Sequence, residues 1–271
     1  YFCFLSVPED GVNSYVDASP NMVRLIKMLA DDDALNIICY LGSGIRNRLH
    51  SVPVIARRLD IPAEKVQLTA DAVLTLPQES KEQGRQLLDK FGVPHDKMLI
   101  AISVRKWQED DRYLLELAKA VDILSREYHA HVVILPLQYP VDVAACQRLQ
   151  HFMVHKERST VLTADCDTEQ FLSLMGNFQL LIGMRLHALI FAAVMERPFV
   201  AISYDPKIDG FVKDINGVTA GNVENLQSTQ VVAAARKALA PEAYCRGRLD
   251  KLRAKAMLNT KQAMALLTKG V

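Results

Sequence analysis

The chain has 271 residues, half of them hydrophobic and 23% charged, which is the composition of a globular protein with an ample core. Lys and Arg number 32 against 31 Asp and Glu, so no basic excess points to nucleic acid and no acidic excess to a solvating tail. Aromatic content of 7% argues against a stacking platform for single strands, and the length suggests about two domains.

The chain begins at Tyr1-Phe2-Cys3-Phe4-Leu5, without Met, and reads there like the inside of a strand, as expected of a fragment or of a list of ordered residues. No basic leader precedes this run, so a signal peptide is not expected. Asn36–Leu41 reads as a strand followed by Gly42-Ser43-Gly44. Ser51–Leu59 and Gln78–Phe91 read as helices, with Lys65–Leu68 as a short strand between them. From Lys97 the pattern is regular. Strands are expected over Lys97–Val104, His131–Leu137, Thr160–Leu162, Phe178–Ile182 and Phe199–Ser203. Helices are expected over Asp110–Tyr128, Val141–Val154, Asp167–Gly176 and Leu186–Met195. Asp167 and Gln170 stand at capping-box spacing. Arg248–Thr268 reads as a last long helix. Such β-α alternation implies a parallel sheet covered on both faces. The expected division is an N-terminal domain of residues 1–93 and a C-terminal domain of residues 94–271.

Five cysteines, at 3, 39, 146, 166 and 245, form no C-x-x-C pair and read as reduced thiols. The longest apolar runs, such as Leu189–Met195, are far below the ~20 residues of a membrane span. Arg246, Arg248, Lys251, Arg253 and Lys255 form a basic run that reads first as a solvated face, with peripheral contact to an anionic membrane surface as the alternative. His151 and His155 are four apart, but no third metal ligand follows at suitable spacing, so no metal site is expected. Gly42-x-Gly44 lacks the remainder of a dinucleotide fingerprint.

Chemistry concentrates in Leu180–Gly210. A buried strand ends at Ile182, Gly183 turns, and Arg185 and His187 open a helix. Ligands of open α/β sheets bind outside the carboxyl ends of the strands, and a helix N-terminus there favours an anion. The structural alternative is an Arg paired with an acidic neighbour and a His that fills space. A cation at a helix N-terminus opposes the dipole, so the anion site is the better fit. Ser103-Val104-Arg105-Lys106-Trp107 follows another buried strand and supplies a second cation at the same edge. Ser203-Tyr204-Asp205-Pro206-Lys207 follows a third, where Asp205 is also a natural N-cap. Gln138 and Tyr139 follow a fourth and could hydrogen-bond sugar hydroxyls.

Gly183-Met184-Arg185-Leu186-His187-Ala188-Leu189-Ile190-Phe191-Ala192-Ala193, with Pro198 and Ile202–Lys207, resembles the signature of the polysaccharide pyruvyltransferases. Ser103–Trp107 resembles their "SVRpW" strand end, and Lys65–Asp71 and Leu41–Arg48 resemble segments of their N-terminal domain. The chain departs from the family pattern in two places. The glycine-rich opening turn and "SGGG" loop are not found in residues 1–40, and Ala72 replaces the proline of "TADP". The resemblance implies a GT-B-like α/β architecture, with two Rossmann-like domains facing across a cleft and a final crossover helix. It implies phosphoenolpyruvate as donor, with Arg105, Arg185, Leu186 and His187 as donor-binding residues, and no cofactor. The acceptor implied is a sugar of a cell-wall or exopolysaccharide precursor, commonly lipid-linked, so a cytoplasmic protein working at the inner membrane face is expected. The reaction needs an acid, and His187 is the candidate acid or base because its ordinary pKa lies near 6.5. Arg185 and Asp205 complete the candidate catalytic set, and Gln138, Tyr204 and Lys207 the candidate acceptor set. The rival readings are a GT-B glycosyltransferase with a nucleotide-sugar donor and a non-catalytic binding protein that kept the fold, against which the intact Arg185 and His187 argue.

Overall fold

The structure is a computed structural model that describes residues 37–39, 66–240 and 246–269. The helix expected over Ser51–Leu59 and the Leu41–Arg48 segment lie outside these residues. The chain divides into two compact units, one of Tyr1–Thr75 with Asp250–Val271 and one of Leu76–Leu249.

In the first unit, β1 (Ile37–Cys39) and β2 (Val66–Leu68) pair in parallel, with Ile37 opposite Val66. The long C-terminal helix, Arg246–Lys269, contributes its residues from Asp250 onward to this unit. Leu252 and Ala256 are buried. Three polar contacts tie this helix to the chain after β2. The Thr69 hydroxyl donates to Asn259 Oδ1 at 2.7 Å, Asn259 Nδ2 to the Ala70 carbonyl at 3.0 Å, and Arg253 Nε to the Leu74 carbonyl at 3.3 Å.

The second unit begins with α1 (Lys81–Lys90) and then alternates. Its strands are β3 (Met98–Ser103), β4 (Ala130–Ile134), β5 (Ser159–Val161), β6 (Leu180–Gly183), β7 (Phe199–Ser203) and β8 (Val218–Asn222). Its helices are α2 (Arg112–Glu127), α3 (Val143–Phe152), α4 (Thr168–Met175), α5 (Leu186–Val194), α6 (Pro206–Ile215) and α7 (Ser228–Leu239), so the C-terminal helix is α8. The six strands are parallel in the order β5-β4-β3-β6-β7-β8. The chain winds outward one way from β3 and the other way from β6. This is the doubly wound Rossmann order, with the reversal between β3 and β6.

Alternation along the strands sorts the core. Ile100, Ile102, Val132, Ile134, Leu180, Ile182, Val200 and Ile202 face a cluster filled by Leu114, Leu117, Val121 and Leu124 of α2, Cys146 and Leu149 of α3, and Val231 and Ala235 of α7. The opposite face is closed by α4, α5 and α6, with Phe171 stacked on Phe191 and Phe199 on Phe211. Both faces are covered, which is why the strands read as continuous Val/Ile/Leu runs. The expected capping box is present. Asp167 Oδ1 accepts from the Gln170 amide at 2.8 Å, and Gln170 Oε1 accepts from the Asp167 amide at 3.0 Å.

α1, assigned from sequence to the N-terminal domain, packs on α4 within the second unit. The Gly84 amide donates to the Ser173 hydroxyl at 2.7 Å. A Cβ on Gly84 would stand 2.4 Å from the Leu174 nitrogen and from the Ser173 carbonyl carbon. Those are backbone atoms and cannot swing aside.

Two stability predictions follow from this packing. Gly to Ala inside a helix ordinarily stabilises by up to about 1 kcal/mol. Here Gly84→Ala forces α1 off α4 and is expected to destabilise by about 1–3 kcal/mol, the usual cost of overpacking. A thermal melt should show a lower Tm, and an unchanged or higher Tm would contradict the close approach. The second concerns Glu116, whose carboxylate accepts from Lys119 and from the Ser228 amide that opens α7. The Lys119 hydrogen bond and then the Ser228 amide pull its pKa from 4.5 to about 2. A depressed carboxylate contributes stability above its unfolded pKa and loses it as pH falls through the folded one. Melting curves of the native chain and Glu116→Gln should therefore differ above pH 4.5 and converge as pH falls toward 2.

Candidate functional site

The strands run in parallel, so the loops after β3, β4, β6 and β7 emerge on one edge of the sheet. Arg105, Gln138, Arg185, Leu186, His187, Tyr204, Asp205 and Lys207 all lie on these loops or in the helix turns that follow them. All belong to the Leu76–Leu249 unit.

The turn after β6 is held from two sides. The Met184 amide donates to the Ser103 carbonyl at 2.8 Å, which extends the β3–β6 ladder beyond Gly183. Arg185 then takes the N-cap position of α5 in an extended conformation, and its side chain makes no capping bond. It turns instead toward the loop after β4. Its Nε donates to Asp142 Oδ2 at 3.0 Å and its Nη2 to Asp142 Oδ1 at 2.6 Å. Nη2 also donates to Gln138 Oε1 at 2.8 Å. The Gln138 amide donates to Asp142 Oδ2 at 2.9 Å, closing the loop on itself. Arg185 is 3% exposed and Asp142 0%.

Arg185 thus has an acidic partner, which the helix-dipole argument had set aside. Asp142 is 43 residues from Arg185 in sequence and reaches it from the loop after β4. Asp142 stands at the N-cap position of α3 but makes no side-chain cap there; its carboxylate serves the Arg instead.

The loops after β3 and β7 are joined in a second brace. Arg105 Nη1 donates to Tyr204 Oη at 3.0 Å, and its guanidinium carbon stands 5.0 Å from the Tyr204 ring centroid. The Tyr204 ring meets Trp107 at 5.2 Å, tilted by 52°. The Tyr113 hydroxyl donates to the Arg105 carbonyl at 2.6 Å, and burial raises that phenol to about 12. In the strand order, β6 lies between β3 and β7, so this brace bridges the two loops that flank the end of β6.

α5 carries Leu186 and His187 in its first turn. Every other residue of this nine-residue helix is buried, while His187 is exposed, its ring 6.4 Å from that of Phe191. Asp205 caps α6, accepting the Lys207 amide at 2.9 Å on Oδ1, and Lys207 is half-buried in the first turn.

The geometry brings Arg105 together with Tyr204, and Arg185 together with Gln138. The two candidate acceptor residues Gln138 and Tyr204 are thereby partners of the two candidate donor guanidinium groups. Sequence reasoning did not name Asp142 or Tyr113. The signal for Asp142 was an acid four residues after Gln138 on the same sheet edge. Burial raises the Cys146 thiol to about 12 and the Cys166 thiol to about 11, so neither is a thiolate nucleophile at neutral pH. Among the described residues no His/Cys/Asp/Glu group of three or more is arranged to hold a metal ion, and no helix is long and apolar enough to cross a membrane.

Solved structures share this fold at low sequence identity. The UDP-GlcNAc 2-epimerase of Methanocaldococcus jannaschii, in complex with UDP-GlcNAc and UDP, is 11% identical with a TM-score of 0.59, over 96% of this chain and 85% of that one. HepE of Anabaena, in complex with UDP and glucose, is 13% identical with a TM-score of 0.56, over 100% and 71%. The UDP-forming α,α-trehalose-phosphate synthase of Burkholderia xenovorans is 16% identical with a TM-score of 0.55, over 98% and 68%. These likenesses show a GT-B-like α/β fold. No curated protein matches the chain significantly in sequence. The family model for polysaccharide pyruvyl transferase matches residues 44–206, more than half of the chain and nearly all of the edge residues described above, and the chain belongs to that family.

Proposed function

We propose that the protein transfers the pyruvyl group of phosphoenolpyruvate to a sugar of a cell-wall or exopolysaccharide precursor, forming a ketal and releasing inorganic phosphate. The observation that carries this reading is the family match over residues 44–206, whose Gly183–His187 segment opens α5 at the reversal of strand order. The donor bears a carboxylate and a phosphate close together. Arg105 and the amide end of α5 at Leu186 and His187 offer positive charge to such a polyanionic ligand, with Arg185 behind them.

The reaction adds a proton to the donor's methylene carbon, leaving C2 oxocarbenium-like. One sugar hydroxyl attacks C2, phosphate leaves, and a second hydroxyl of the same sugar closes the ketal, each hydroxyl losing its proton. His187 is assigned the proton transfer, since it is the one exposed residue of α5. Asp205 orients the acceptor from the start of α6, next to Lys207, and Gln138 Nε2 offers a further donor to sugar hydroxyls. The donor chemistry is assigned to the Leu76–Leu249 unit. The reading has the protein acting in the cytoplasm on a lipid-linked precursor at the inner membrane face.

The structural relatives that hold UDP favour a second reading, a nucleotide-sugar donor. Trp107, the single Trp of the chain, lies against Tyr204 and reports on the site directly. Titration followed by Trp107 fluorescence should give saturable binding of phosphoenolpyruvate, and saturation by UDP-GlcNAc without response to phosphoenolpyruvate would overturn the proposal. With a glycan acceptor, phosphate release should fall by ~10²–10⁴ in His187→Ala, and remain slow in His187→Gln, which keeps a hydrogen bond but shuttles no proton. Arg105→Ala should weaken phosphoenolpyruvate by roughly 10- to 150-fold, the loss of one charge-assisted hydrogen bond. Wild-type turnover in His187→Gln would move the acid–base role elsewhere.

A further inference from the structure

We infer that Asp142 is a positioning residue of the donor site, and that Arg185 acts as a charge-compensated splint rather than as a free cation for the donor. This rests on the pyruvyl reading for the identity of the anion, but not for the geometry. The two groups are buried together, with Arg185 at 3% and Asp142 at 0% exposure. Nε and Nη2 of Arg185 are already directed at Asp142 and Gln138 within 3.0 Å. A guanidinium so committed presents little surface to a ligand, and its charge is matched by a carboxylate in direct contact.

What the pair does is fix the turn. Arg185 is the N-cap of α5, two residues before His187, and its backbone sets where the first-turn amides point. Asp142 and Gln138 fix the loop after β4, so the bond between them locks two loops that both flank the end of β3. The donor's negative charge then falls on Arg105, which is half-buried and held by Tyr204, and on the α5 amides. Gln138 moves from the acceptor side to the donor side in this account.

Two variants of the full chain test this, each read for binding by Trp107 fluorescence. Asp142→Asn removes the compensating charge while Arg185 remains, so phosphoenolpyruvate should bind about 3- to 10-fold more tightly, one repelling unit charge having been removed. Turnover should fall, because the turn loses its lock. A merely structural Asp142 would leave donor affinity unchanged or lower it, and either result in folded protein overturns the inference. The second variant combines Asp142→Leu with Arg185→Met. Apolar replacement of a whole buried pair commonly preserves folding, where removal of one partner does not. Affinity for phosphoenolpyruvate should stay within about threefold, because the net charge of the site is unchanged, while turnover falls at least about tenfold. A tenfold or larger loss of affinity would make Arg185 a direct donor ligand. Retention of both affinity and turnover would leave the pair no role in positioning. Either outcome overturns the inference, and each variant decides alone if the other does not fold. If the native chain binds inorganic phosphate but not phosphoenolpyruvate, the pyruvyl reading falls and the splint is judged by the same ratios with phosphate. Binding of neither anion overturns the splint as well.

Discussion

The buried pair of Arg185 and Asp142 is the constraint on which the rest of the site depends. Taking two charges out of water is expensive, and the attraction between them offsets that only with near-ideal geometry and further hydrogen bonds. Both conditions are met. The contact is bidentate, one guanidinium nitrogen also reaches Gln138, and the Gln138 amide fills a further site on the carboxylate. Such an arrangement tolerates little displacement of either loop. The start of α5 is therefore set less by its own sequence than by a carboxylate 43 residues earlier in the chain.

The second brace works by different physics. Arg105 lies over the Tyr204 ring and donates to its hydroxyl, while Trp107 meets the same ring from the β3 loop. Ring contacts and one hydrogen bond from the guanidinium to a hydroxyl hold this assembly. One brace thus joins opposite charges, and the other joins a cation to aromatic rings. The doubly wound sheet supplies the frame, since four loops from parallel strands can meet only at one edge.

Most of the Leu76–Leu249 unit was legible because its strands are buried on both faces. Strands such as Met98–Ser103 and Phe199–Ser203 are short apolar runs bounded by polar turns, and the helices between them show the 3.6-residue period. The Asp167–Gln170 capping box was legible because it is local. β8 was not named from sequence. It is an edge strand, Val218-Thr219-Ala220-Gly221-Asn222, with alternate residues exposed and only one large apolar side chain. α7 was not named either, because its buried face is built largely from Ala and its apolar signal is weak. In the site, the residue types and the sheet edge were readable, but the partnerships were not. Nothing local connects Arg185 to Asp142 or Arg105 to Tyr204, which lie 43 and 99 residues apart. The helix dipole alone would leave Arg185 an isolated cation, but a tertiary contact with Asp142 compensates it.

The burial of α5 has a consequence for how this segment can vary over evolutionary time. Eight of its nine residues are packed between the sheet and neighbouring helices, and His187 alone reaches solvent. Substitution at the packed positions reduces the amount of folded protein, whatever reaction the protein performs. His187 reaches solvent and is under a weaker packing constraint than its eight neighbours. Selection on folded abundance therefore presses on most codons of this short helix and only lightly on the one for residue 187. The sequence around it stays recognisable for as long as the fold is kept, whatever residue comes to stand at that position.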